Sequence, residues 1–141
     1  MNVQMTNSTI QRFNTVQWHD SKLVGLCFYK AGEENRVKLS LQLIDEDGCL
    51  SPSEVIFKEC VYCQTDVNLA AKSMCGDDIS SAKCYESSDW KRIVSEPSPY
   101  DPIQGGRGFD EYLHFNLSMC PPGGTISILA KGFSLEMKTP G

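Results

Sequence analysis

No run of apolar residues in this chain approaches the roughly 18 that a membrane-spanning helix needs. The opening stretch, MNVQMTNSTIQRFNTV, is polar and has none of the apolar core of a secretory leader. Residues 1–15 therefore read as a segment free to be flexible, and a cytoplasmic location is expected. Clustered Lys and Arg are missing as well. The net charge is −5, with 18 acidic residues against 13 basic ones. Phosphate recognition needs a concentrated basic face, so neither nucleic acid nor an anionic membrane is an expected partner. Histidine is scarce, at two residues. That leaves too few ligands for a metal phosphohydrolase of the His-Asp type.

What is present suits one globular domain spanning residues 1–141. The hydrophobic fraction is 40% and the charged fraction 22%, both ordinary, and 141 residues can bury a core without metals or disulfides. No cofactor is expected. Cysteine is more plentiful, at seven. The count is odd and no secretion signal accompanies it, so reduced thiols acting as small hydrophobes are the natural reading.

Period-two alternation runs through the chain. KLVGLCFYK (22–30) reads as a strand, and AGEEN (31–35) as a loose turn. RVKLSLQLI (36–44) places Val37, Leu39, Leu41 and Leu43 on one face. DEDGCLSPSE (45–54) reads as a polar loop. VIFKECVYC (55–63) reads as one strand, with Phe57 and Val61 on one side and Ile56, Cys60 and Tyr62 on the other. A short helix is expected near 66–75, capped by Asp66 and closed by Gly76, with strand the alternative for part of it. ISSAKCYESS (79–88) and WKRIVSE (90–96) look like weaker strands, or one strand with an irregular continuation. PSPYDPIQGGRG (97–108) is a loop. EYLHFNLSM (111–119) sends Leu113, Phe115, Leu117 and Met119 inward, with Tyr112, His114, Asn116 and Ser118 outward. CPPGG (120–124) reverses the chain, and TISILAKGFSLEM (125–137) returns with a bend at Gly132. The fold class that follows is mainly all-β: an antiparallel β-sandwich or flattened barrel with one short helix.

Trp18-His19-Asp20-Ser21 has the residue types of a hydrolase: a base, a carboxylate and a nucleophile. On an extended chain, however, neighbouring side chains point to opposite faces. The local reading is preferred: Trp18 anchors the core, and the polar cluster of His19 and Asp20 bonds the strand's lead-in. Cys60 and Cys63 form a CxxC pair. A structural zinc site would need a second pair, for which Cys75 and Cys84 are the candidates, at an unsuitable spacing. Semi-buried thiols are preferred to metal. Tyr112, His114 and Asn116, with Arg107 from the loop, mark a candidate surface for a ligand or partner. The Gly105–Gly108 run lacks the Lys and the strand–helix context of a phosphate loop. Asp45–Gly48 lacks the spaced ligands of a calcium loop.

Three segments together, WHDSKL, KEC…DVNLAAKSMCGDDISSAKC and YLHFNLSMCPPGGTISILAKGFSLE, resemble a group of small bacterial proteins of environmental and mobile-element, integron-cassette-like origin. The resemblance covers roughly residues 16–137. It implies a bacterial, cytoplasmic, single-domain protein and transfers no catalytic residues. The sequence thus points to a non-enzymatic binding module that takes a protein partner or self-associates. Neutralising a toxin or effector is one form such a role takes, and the overall acidity suits a basic partner. The alternative is a small-molecule-binding β-domain that uses the sheet face near His114 and the 97–108 loop. A hydrolase built on His19 and Asp20 ranks last.

Overall fold

In the computed structural model of the chain, residues 3–67, 78–96, 110–120 and 123–138 are described. Two four-stranded antiparallel sheets face each other. The first has the order β1-β2-β3-β8, from β1 (Lys22–Ala31), β2 (Glu34–Ile44), β3 (Leu50–Lys58) and β8 (Gly132–Met137). The second has the order β4-β7-β6-β5, from β4 (Tyr62–Val67), β5 (Ile79–Tyr85), β6 (Leu113–Met119) and β7 (Gly124–Ala130). This is the sandwich that the alternation implies. The faces predicted for β2 and β6 both hold: Val37, Leu39, Leu41 and Leu43 are buried, as are Leu113, Phe115, Leu117 and Met119.

The first hairpin is tighter than expected. Ala31 pairs with Glu34, so Gly32 and Glu33 alone make the turn, with Gly32 at φ 67°. Glycine tolerates that angle at no steric cost. The polar loop at 45–54 is also shorter, because pairing resumes at Ile44 with Leu50. The segment 55–63 is not one strand. β3 ends at Lys58, Glu59 takes φ 51°, and the chain crosses to the other sheet before β4 begins. Val61 is consequently exposed and does not join Phe57 in the core, whereas Cys60 is buried. The return crossing falls at the same end. There Lys131 separates β7 from β8 and donates its N–H to Lys58 O at 3.1 Å. The bend expected at Gly132 is this change of sheet.

Two helices depart from the sequence reading. Val3–Asn14 is α1, and it closes one side of the sandwich. Phe13 is fully buried, with its ring centroid 4.7 Å from Trp18, 5.0 Å from Phe115 and 5.1 Å from Phe133. Burying such a ring contributes about 2–3 kcal/mol. Asn14 then uses both ends of its amide on Cys84, accepting from its N–H at 2.7 Å and donating to its carbonyl at 3.4 Å. A side chain thus takes the place of a neighbouring strand along the β5 edge. Asp89–Ser95 is α2, where a weak strand was expected. Ser88 caps it, its hydroxyl accepting from Lys91 N at 3.0 Å. At 66–67 the strand alternative holds in place of the helix start and its Asp66 cap, since Asp66 and Val67 belong to β4. Residues 68–75, like the 97–108 loop, lie outside the described residues.

Candidate functional site

Trp18 anchors the core, as its neighbours require: it is buried and its indole N–H donates to Phe13 O at 2.7 Å. His19 and Asp20 come within 3.6 Å of each other on the surface, with Asp20 at φ 70°. His19 Nδ1 lies 3.0 Å from Ser80 O. Ser21 turns the other way. It is fully buried, its hydroxyl donating to Gln17 O at 3.1 Å and accepting from Ile44 N at 3.0 Å. Base, carboxylate and hydroxyl therefore do not converge. The stretch ties β1 to β5: Asp20 N–H donates to Ile79 O, and Ile79 N–H to Ser21 O.

His114 is not an open surface residue. By register it faces outward, in a row Tyr62–Leu129–His114–Tyr85 across the second sheet. Yet it is only 5% exposed, because α2 lies over it. The Trp90 ring stacks at 4.4 Å and Tyr85 flanks it at 5.6 Å. Trp90 is held in turn by a hydrogen bond to Gln64 Oε1 at 2.8 Å. Both imidazole nitrogens are engaged. Ser88 Oγ accepts from Lys91 N and lies 2.7 Å from His114 Nδ1, to which it donates once the neutral ring carries its proton on Nε2. Ser127 Oγ donates to Asn116 Oδ1 at 2.9 Å, so it must accept from His114 Nε2 at 3.2 Å. The donor chain thereby assigns the neutral Nε2–H tautomer. Desolvation pushes the ring's pKa down to about 4. Asn116 belongs to the same network, whereas Tyr112 precedes β6 with the Lys131 ammonium 5.4 Å from its ring. Arg107 lies outside the described residues. This cluster pins α2 to the sheet and keeps no ring nitrogen free for proton transfer.

Of the described candidate cysteines, Cys60 and Cys63 border one cavity and Cys84 lies apart from them. Cys60 sits in the crossing, its thiol donating to Phe57 O at 3.2 Å. Cys63 lies on β4 and Cys84 on β5, the two opposite edges of one sheet. Three strand spacings separate those edges, roughly 14 Å. Burial pushes the thiols up, to about 12 for Cys60 and Cys84 and about 11 for Cys63, so all three stay protonated near neutrality. Cys75 is outside the described residues. Among those described, no three His, Cys, Asp or Glu side chains come together to hold a metal.

The register exposes a feature the sequence reading missed. Phe28 pairs with Val37, Val37 with Phe57, and Phe57 with Phe133. This row lines the inner face of the first sheet. Three of its members are buried, yet Phe28 is 61% exposed. The cause is geometric. β1 starts against Asp78, beside β5, and ends beside β4, at the far edge of the second sheet. The strands of one sheet thus run across those of the other, and the second sheet stops short of the β1 corner. A cavity of about 430 Å³ opens there, lined by the end of β1, the start of β2 and residues 60–63. Val61, 42% exposed, lines it, and Tyr62, 46% exposed, borders it while its ring packs 5.8 Å from Trp90 on the other face of the second sheet. Lys30 and Arg36 stand in its wall, with Arg36 bonded to Glu34. The groove offers apolar surface and a cation, but no activated nucleophile.

Comparisons with protein-family models, with curated proteins and with solved structures returned no match.

Proposed function

We propose that the chain is a non-enzymatic binding module that engages a protein partner through the corner groove between β1, β2 and residues 60–63. The observation that supports this is Phe28. It belongs by register to the core-facing row, yet it is left open together with Val61 and Tyr62. An exposed ring beside further exposed apolar surface is what an interface centre uses. Among the described polar candidates, Ser21 and His114 already have their partners. The cavity volume also lies within the roughly 300–1,000 Å³ of small-ligand sites. A small apolar ligand in the same groove is therefore the second reading, ahead of one on the covered His114 face.

The test is light scattering together with affinity capture, using the chain, Phe28→Asp and Met137→Asp. Met137 is as exposed, at 60%, but sits on β8 at the opposite edge of the first sheet. The reading expects an oligomer or a bound protein that Phe28→Asp abolishes and Met137→Asp leaves intact. A clean monomer with no captured protein, or equal loss in both variants, overturns it.

A further inference from the structure

Building on that groove, we infer that the partner enters as an extended acidic segment, adding a strand to the first sheet along the outer edge of β1. The four sheet edges are not equivalent. The β5 edge is already occupied, by Asn14 on Cys84, His19 on Ser80 and Asp20 on Ile79. β4 and β8 are six residues each, and they carry Asp66 and Glu136. β1 has ten residues, with neither proline nor a carboxylate, and beyond the bridge of Lys22 to Asp78 at its start no described strand pairs with its outer side. Such an edge presents a row of backbone donors and acceptors that templates another strand.

Side chains and charge choose the occupant. Lys30 and Phe28 lie two apart, so both face the groove. A strand laid beside β1 would drop alternate apolar side chains next to Phe28 and Val61, and a carboxylate beside Lys30. The β1–β2 hairpin, residues 22–44, carries four cations (Lys22, Lys30, Arg36, Lys38) against Glu33 and Glu34. Lys22, Arg36 and Lys38 pair with Asp78, Glu34 and Glu54, so Lys30 is the hairpin cation that no described carboxylate holds, and it stands at the groove. A second copy fits less well. Two chains of net −5 repel one another at long range.

The probe is a displayed library of random ten-residue peptides selected on the intact chain, followed by synthesis of the winners. Selected sequences should alternate apolar and acidic residues. Lys30→Glu should weaken them at least about fivefold, the size of a reversed cross-strand charge pair. N-methylating alternate amides in one phase should abolish binding, while the other phase should leave it intact, because only one phase faces β1. Winners that depend on Phe28 but carry basic charge, or that tolerate both N-methyl phases, overturn the strand-addition proposal and leave the groove reading standing. Winners indifferent to Phe28 and Val61, or no enrichment at all, overturn both. A dimer that Lys30→Glu alters and the peptides compete away assigns the edge to a second copy instead.

Discussion

Lowering the pH should weaken this fold through His114. In the folded chain the ring is neutral, with its pKa pushed down to about 4 by burial, while the unfolded chain has the ordinary value of 6.5. Between those values the unfolded state binds a proton that the folded state refuses. Stability is therefore fully present above about pH 6.5 and is lost as the pH falls towards 4. Each unit corresponds to about 1.4 kcal/mol. From pH 7.5 to 5.0 the expected loss is about 2 kcal/mol, rising to at most about 3 kcal/mol at pH 4. The loss has a structural face. A proton on Nδ1 would point at Ser88 Oγ, whose own proton then needs a new acceptor, and α2 rests on that cap. Urea unfolding, followed by tryptophan fluorescence at a series of pH values, measures the slope. Carboxylates also titrate in this range, so the difference between the chain and His114→Gln isolates the ring. Equal slopes in the two proteins, or an imidazole titration by NMR with a midpoint near 6.5, would refute the reasoning.

Three further outcomes are expected. Phe13→Ala should cost about 3–5 kcal/mol in chemical unfolding, because the ring contacts aromatic side chains from both sheets and leaves a cavity. A loss under 1 kcal/mol would mean that α1 is only loosely docked. Gly124→Ala should cost at least about 2 kcal/mol, since φ is 97° and the new Cβ would fall 1.5 Å from Asp66 O; thermal unfolding checks it. Ser88→Ala should lose about 1 kcal/mol of capping. Combined with His114→Gln it should lose less than the two single changes together, because they share one hydrogen bond.

The parts of the fold that were legible are those with clean alternation. β2 and β6 each bury one face, and period two declares it. α1 was hidden because VQMTNSTIQRFN is largely polar, and its docking rests on Phe13, an apolar residue near its end. α2 had a signal in Ser88-Asp89, a cap and a first-turn carboxylate, but seven residues are too short for periodicity to speak. VIFKECVYC reads as one apolar run, and nothing local marks the left-handed turn at Glu59 where it changes sheets. The groove was out of reach for a related reason. A loose first turn leaves the β1–β2 register open, and only the two-residue turn at Gly32-Glu33 sets Phe28 opposite Val37. His114 was placed on the correct face. What covers it comes from a helix the pattern did not reveal.

The most direct test of the binding reading is site-specific photo-cross-linking. A benzophenone amino acid is placed at Tyr62, on the border of the groove, and at Met137, on the far edge of the other sheet. A discrete adduct at Tyr62 alone, competed away by excess unmodified chain, is the predicted result. Adducts of equal yield at both positions, or none at Tyr62, would contradict it.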